Sequence, residues 1–164
     1  NVPDSEAYGV EGELTIRPAT GLTIAANALY LKTRINDYNG TNAAGQPQNF
    51  AGAGFIYSPK FQGGVTIAYD TPVSDTVDLT GAVSARYQSK SNTIFEDLDL
   101  YKVDAYGTVN ASLGLKDESG WSVSLWAKNL FDKYYWSAVA SNANVVVRFA
   151  NQPRTYGLTV GYDF

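Results

Sequence analysis

The stretch Thr155-Tyr156-Gly157-Leu158-Thr159-Val160-Gly161-Tyr162-Asp163-Phe164 alternates strictly in character. Tyr156, Leu158, Val160, Tyr162 and Phe164 fall in one register, and Thr155, Gly157, Thr159, Gly161 and Asp163 in the other. Successive side chains of a β-strand point to opposite faces, so this stretch presents an apolar face backed by a small, polar one. A half-buried strand of a soluble sheet alternates in the same way. Two details favour lipid: an aromatic stands near each end of the apolar face, and the final residue is aromatic. A bilayer-crossing strand takes roughly 9–11 residues and carries aromatics at both interfaces.

The pattern repeats along the chain. Further strands are expected over about Ser5–Arg17, Leu22–Arg34, Gly54–Tyr69, Val77–Gln88, Lys102–Lys116 and Trp121–Tyr134. Leu29 and Leu31 disturb the second, and Pro59 marks either a late start or a bulge in the third. Pro18-Ala19-Thr20-Gly21, Thr71–Thr76 and Asp117-Glu118-Ser119-Gly120 are short connections rich in turn formers. Ile35–Ala53, Ser89–Tyr101 and Tyr135–Pro153 are long and mostly polar; Val145-Val146-Val147 within the last would extend either neighbouring strand. Short and long connections therefore alternate, as in up-and-down outer-membrane barrels with short periplasmic turns and longer extracellular loops. The fold class expected is all-β, an antiparallel up-and-down transmembrane barrel. Seven strands are an odd number where single-chain bacterial barrels have an even one, so the chain reads as part of a larger barrel.

Composition removes other classes. Among 164 residues there is no His, Cys or Met, which excludes a disulfide framework and a thiolate metal site. A net charge of −4 without a basic stripe argues against nucleic-acid binding. No apolar run is long enough for a transmembrane helix. Nothing near Asn1 has the order of a signal peptide, so any such segment is expected to lie upstream or to have been removed. No nucleophile elbow or phosphate-cradling loop is present, and no enzyme activity or cofactor is expected.

Four segments in order resemble the C-terminal end of a TonB-dependent outer-membrane receptor. Ala7-Tyr8-Gly9-Val10-Glu11-Gly12-Glu13-Leu14 resembles the family's "YG-x-E-x-E" strand, and Tyr57-Ser58-Pro59-Lys60 its "aPK" strand entry. Leu125-Trp126-Ala127-Lys128-Asn129-Leu130-Phe131-Asp132 resembles the penultimate strand, and Pro153-Arg154-Thr155-Tyr156-Gly157 through Phe164 the last one. The resemblance implies a plugged barrel of about 22 strands, of which residues 1–164 would supply the last seven. It implies import of a scarce nutrient, often a ferric siderophore or cobalamin, driven by TonB through a motif outside this sequence. It also implies that Tyr156, Leu158, Val160, Tyr162 and Phe164 form the signal read by the barrel-assembly machinery. A passive porin, or a soluble lipid-binding or adhesive β-protein, would share the strand pattern.

Candidate site residues follow from this orientation. Tyr38, Phe50, Tyr134, Tyr135 and Trp136 would lie near the extracellular rim with Arg86 and Arg148 in the same zone. Aromatics with Arg suit an anionic, ring-bearing metal chelate; for single residues the competing roles are the aromatic girdle and contacts to lipopolysaccharide phosphate. Tyr38, Phe50, Arg86, Trp136 and Arg148 are therefore the candidate ligand contacts. Glu11 and Glu13 share a face but read as solvated, or as paired with basic residues of the plug. Glu96, Asp97 and Asp99 could take a hard cation, or form a solvated loop.

Overall fold

A computed structural model describes residues 4–142 and 145–164; residues 1–3, and 143–144 of the third long loop, lie outside the described residues. In chain order the strands are β1 (Asp4–Ala19), β2 (Leu22–Asp37), β3 (Asn39–Thr41), β4 (Pro47–Asn49), β5 (Phe61–Pro72), β6 (Val77–Gln88) and β7 (Ser91–Asn92). After a 3-10 turn at Asp99–Tyr101 come β8 (Lys102–Val103), β9 (Tyr106–Asp117), β10 (Trp121–Lys128), β11 (Trp136–Asn142), β12 (Val145–Ala150) and β13 (Thr155–Tyr162). One seven-stranded antiparallel sheet has the order β1-β2-β5-β6-β9-β10-β13, and each long connection carries its own two-stranded ribbon. The sheet is open: among the described residues β1 and β13 do not pair.

Register carries the two-residue periodicity of the sequence across the whole sheet. One rung runs Ile16, Ile24, Ile67, Val83, Ala111, Ala127, Tyr156. A rung of the opposite face runs Thr15, Ala25, Thr66, Ser84, Asn110. The aliphatic face is uncovered, with Val10 74% and Leu125 62% exposed. Its aromatics sort by height. Tyr8, Tyr30, Phe61, Tyr87 and Tyr156 stand at the long-loop end, and Tyr69, Trp121 and Tyr162 at the short-turn end. Trp121 and Tyr162 pack with ring centroids 4.7 Å apart, and Phe164 adds to Tyr162 at 5.1 Å. A continuous apolar surface of this extent is not left in water; between two aromatic bands it is the lipid-facing wall of a barrel.

The short turns are closed by glycine and by neighbours. Gly21 (φ 75°) and Gly120 (φ 96°) occupy the left-handed region that disfavours a Cβ, and each also lies against a backbone carbonyl, of Asp70 and Asp163 respectively. The Asp70 and Asp163 amides donate to the Gly21 and Gly120 carbonyls at 3.0 Å, and Glu118 N–H donates to Thr76 O at 2.9 Å. Each turn is thus stitched to the next strand or turn.

The buried apolar residues lie elsewhere. Ile35, Phe50, Val103 and Val139 are the buried hydrophobic residues among those described, and all four belong to the long-loop end. Most departures from the expected boundaries occur there too. β5 begins at Phe61 rather than Gly54, so Pro59 marks a late start; Tyr57 before it holds φ 52°. β9 begins at Tyr106, because Lys102 and Val103 pair with Asn92 and Ser91 instead. β10 ends at Lys128, because Asn129 takes φ 49° and Leu130 N–H turns to Val109 O at 2.7 Å. Val145-Val146-Val147 extends neither main strand but forms a separate hairpin with β11. At the other end of the sheet, β13 closes at Tyr162, two residues short of the expected Phe164.

Candidate functional site: the loop rim and the inner wall

The three long loops are one assembly. Tyr38 at the end of β2 meets Phe50, beyond the β3–β4 hairpin, at 5.8 Å between centroids; Phe95 of the second loop closes the group at 5.5 and 5.4 Å. The Ala43 amide donates to Glu96 Oε2 at 2.6 Å. Tyr57, in the connection between β2 and β5, bridges the other two: its N–H donates to Asn92 O at 2.8 Å and its hydroxyl to Val139 O at 2.7 Å. In the third loop the Arg148 guanidinium lies over the Trp136 ring at 5.7 Å, and its Nη2 donates to Leu100 O at 3.2 Å.

The five candidate ligand contacts therefore divide into three places. Tyr38 and Phe50 stand together with Phe95, which the sequence did not single out; Phe50 is buried, so its ring serves packing among the loops. Trp136 and Arg148 stand together on the third loop. Arg86 stands apart, on the inner register of β6, opposite Gly64 and Thr108. It lines a concavity of about 740 Å³ with Glu13, Asn27, Gln62, Tyr106 and Tyr135. The Tyr106 and Tyr135 rings stack at 3.8 Å at its upper end. Burial pushes the Tyr135 phenol above its ordinary pKa, so it stays a neutral hydrogen-bonding group. The arrangement of one guanidinium, the Glu13 carboxylate, amides, hydroxyls and a stacked phenol pair can bind and orient a polar ligand.

The acidic patch is occupied internally. Lys102 Nζ lies 2.9 Å from Asp97 Oδ1 and 2.7 Å from Asp99 Oδ1. These contacts hold both carboxyls below the usual carboxylate range and raise the ammonium. With Glu96 bonded to the first loop, the three carboxylates do not converge, and among the described residues no group of three metal-ligating side chains forms.

Two junctions explain why the penultimate and last strands carry such particular residues. Asn129 is buried, and its side chain makes three hydrogen bonds. Oδ1 accepts from Lys133 N–H at 2.9 Å, and Nδ2 donates to the carbonyls of Lys133 and Gln152 at 3.0 and 3.3 Å. Its own amide donates to Asn110 Oδ1 at 3.0 Å. Arg154 N–H donates to Asp132 Oδ1 at 2.8 Å, tying the start of β13 to the end of β10. Below them Trp126 lies on the inner face directly opposite Gly157 and donates from Nε1 to Thr159 Oγ1 at 3.1 Å.

A sheet with a banded aliphatic face, a polar concave face and interlocked loops at one end is a segment of outer-membrane barrel wall. The chain belongs to the family described as TonB dependent receptor-like, beta-barrel, whose profile matches residues 1–130. Its fold is similar to that of the ferric yersiniabactin uptake receptor FyuA of Yersinia pestis, with a TM-score of 0.82 at 21% identity over 98% of this chain and 24% of that one. The siderophore receptor PiuA of Acinetobacter baumannii gives 0.79 at 21% identity, over 96% of this chain and 22% of that one. The ferric-catecholate import receptor Fiu of E. coli K12 gives 0.74 at 18% identity, over 98% and 21%. The chain thus spans less than a quarter of the length of these solved receptors.

Proposed function

We propose that this chain is the C-terminal portion of the barrel of a receptor that imports a ferric siderophore or similar metal chelate across the outer membrane. On this reading the plug and the TonB motif are carried elsewhere in the protein, and TonB supplies the energy. The terminal face from Tyr156 to Phe164 is read by the barrel-assembly machinery. The observation that carries the proposal is the polar concavity around Arg86, Tyr106 and Tyr135, set on the inner face directly beneath the interlocked aromatic loops. Guanidinium and phenol groups bind anionic oxygens and rings through charge-assisted hydrogen bonds and stacking. Solved receptors of similar fold support the substrate class, since their names specify ferric yersiniabactin and ferric catecholates.

The test is uptake of radio-iron chelates by cells carrying the intact receptor, with and without TonB. TonB-dependent uptake of one chelate, weakened by Arg86→Ala, is the expected result. Uptake by size alone that persists without TonB would identify a passive channel instead.

A further inference from the structure

The β11–β12 hairpin of the third loop has two unlike sides and two unlike edges. On one side Val139 is buried, and its pair partner Arg148 lies over Trp136 and donates to Leu100 O, so this side packs on the second loop. The opposite side pairs Ala138 with Phe149 and Ala140 with Val147. Val145, Val147 and Phe149 there are 59%, 45% and 50% exposed. The edges divide in the same way. Val139 O accepts the Tyr57 hydroxyl at 2.7 Å and β11 runs beside β8, so the β11 edge is covered by loops already present. Because that carbonyl points away from β12, Val139 and Arg148 form an antiparallel pair whose main-chain groups turn outward. The N–H and C=O groups of Arg148, and of Val146 two residues before it, therefore face the far edge of β12. Among the described residues no third strand joins the ribbon, and no hydrogen bond from outside the hairpin reaches those groups. The strand Val145-Val146-Val147-Arg148-Phe149-Ala150 contains no Pro, Gly or acidic residue, and its one cation is drawn to the packed side. A bare edge of this composition templates further strand pairing.

We infer that β12 is a docking edge: an extended segment of the receptor outside residues 1–164 pairs with it and makes the ribbon three-stranded. The occupant is the loop-end connection of the barrel strand that pairs with β13. This rests on the proposed function, in which the chain is one part of a closed barrel. Continuity singles out that segment. β12 leads into β13 through residues 151–154, and among the described residues β13, like β12, is paired on one side only. The chain spans 24% of one solved receptor of this fold and 22% of another, so further strands remain to take that side. The ribbon follows the same sense around the mouth, with β11 against the second loop and β12 beyond it, toward the free side of β13. In such strand addition the main-chain groups of Val146 and Arg148 supply the hydrogen bonds, while Val147 and Phe149 offer an apolar row for alternate side chains of the partner.

The test uses the intact receptor in its membrane, with heat-modifiable gel migration reporting whether the barrel itself has closed. A photoreactive phenylalanine analogue replaces Val147, and cross-linked peptides are mapped by mass spectrometry. The expected product is an intramolecular link to the loop-end connection of the strand beside β13. Hydrogen exchange at the Val146 and Arg148 amides should be slower than at exposed loop amides by roughly tenfold or more. Val146→Pro removes one outward N–H and spares the bonds to β11, so it should cut the cross-link by roughly tenfold with barrel migration unchanged. In a receptor that migrates as a closed barrel, a Val147 link only to a second copy, only to lipid, or to nothing would overturn the docking edge. So would an undiminished cross-link in the Val146→Pro variant. A receptor that never shows heat-modifiable migration would overturn the barrel reading first, and the docking edge with it.

Discussion

Gly157→Ala places a methyl group where the structure has no room for one. A Cβ built on Gly157 falls 2.5 Å from Cζ2, 2.9 Å from Cε2 and 3.1 Å from Cη2 of Trp126. The indole is not a flexible chain end: it is held by Nε1 to Thr159 Oγ1 at 3.1 Å and flanked by Lys128 at 5.6 Å. It can relieve the overlap only by tilting into the lumen, which breaks that hydrogen bond. Overpacking of this kind costs about 1–3 kcal/mol, and the lost hydrogen bond adds about 1 kcal/mol. Gly157→Ala should therefore destabilise the barrel by roughly 2–4 kcal/mol. Urea unfolding of the intact receptor in detergent or vesicles, followed by heat-modifiable gel migration, measures this. Trp126→Ala removes the obstacle, so the double variant should be more stable than the sum of the singles by about 1 kcal/mol or more. Strict additivity, or a neutral Gly157→Ala, would show that the indole does not cover the glycine.

Other perturbations read other parts of the fold. Val160 faces lipid and Thr159 the lumen, so Val160→Arg should cost about 2–4 kcal/mol near the midplane and Thr159→Arg less; gel migration of the intact receptor scores both, and equal damage refutes the assignment of faces. A single cysteine at Asn42 should react with an impermeant maleimide on whole cells and one at Ser119 should not; the reverse inverts the topology. Lys102 holds Asp97 and Asp99 below the ordinary carboxylate range, so their contribution to loop order is complete above that range and fades as pH falls through the lowered values. Hydrogen exchange over residues 93–103 should accordingly rise on acidification in the wild type, and Lys102→Gln should remove that pH dependence.

The main strands were legible because lipid on one side and a polar lumen on the other impose period two along most of their length. Ile16, Leu79 and Val123 announce their face by themselves. The turns were legible from Gly21 and Gly120, which their backbone requires. The loop ends were not, because their burial is irregular. Val103 and Val139 are core residues inside polar segments, and each depends on contacts with another loop far along the chain. Phe95 escaped notice because one aromatic among polar neighbours carries no periodic signal. Leu29 and Leu31, which disturb the alternation of β2, belong to the inner face close to the rim, where the Leu31 N–H donates to Lys60 O at 2.9 Å. Of the candidate site, Arg86 was singled out in the sequence as a cation near the rim, and in the sheet it lies on the inner register of β6. The pairing of Tyr106 with Tyr135 was invisible, since 29 positions separate a strand residue from a loop residue.

The Tyr57 bridge has a consequence for the order of assembly. Its hydroxyl reaches a carbonyl 82 positions away, and the Ala43–Glu96 bond spans 53. Closing such distant contacts first would cost chain entropy that nothing yet offsets. Zipping β2 through β10 into their hairpins brings the same groups together one short loop at a time. The loop cap is then the last part to set, and it sets only over strands in register. A one-residue slip at any rung would turn a lipid-facing row toward the lumen and carry Tyr57 away from Val139. The loop contacts therefore depend on the register of the sheet beneath them: a mispaired wall would leave Tyr57 and Glu96 without the partners they have here.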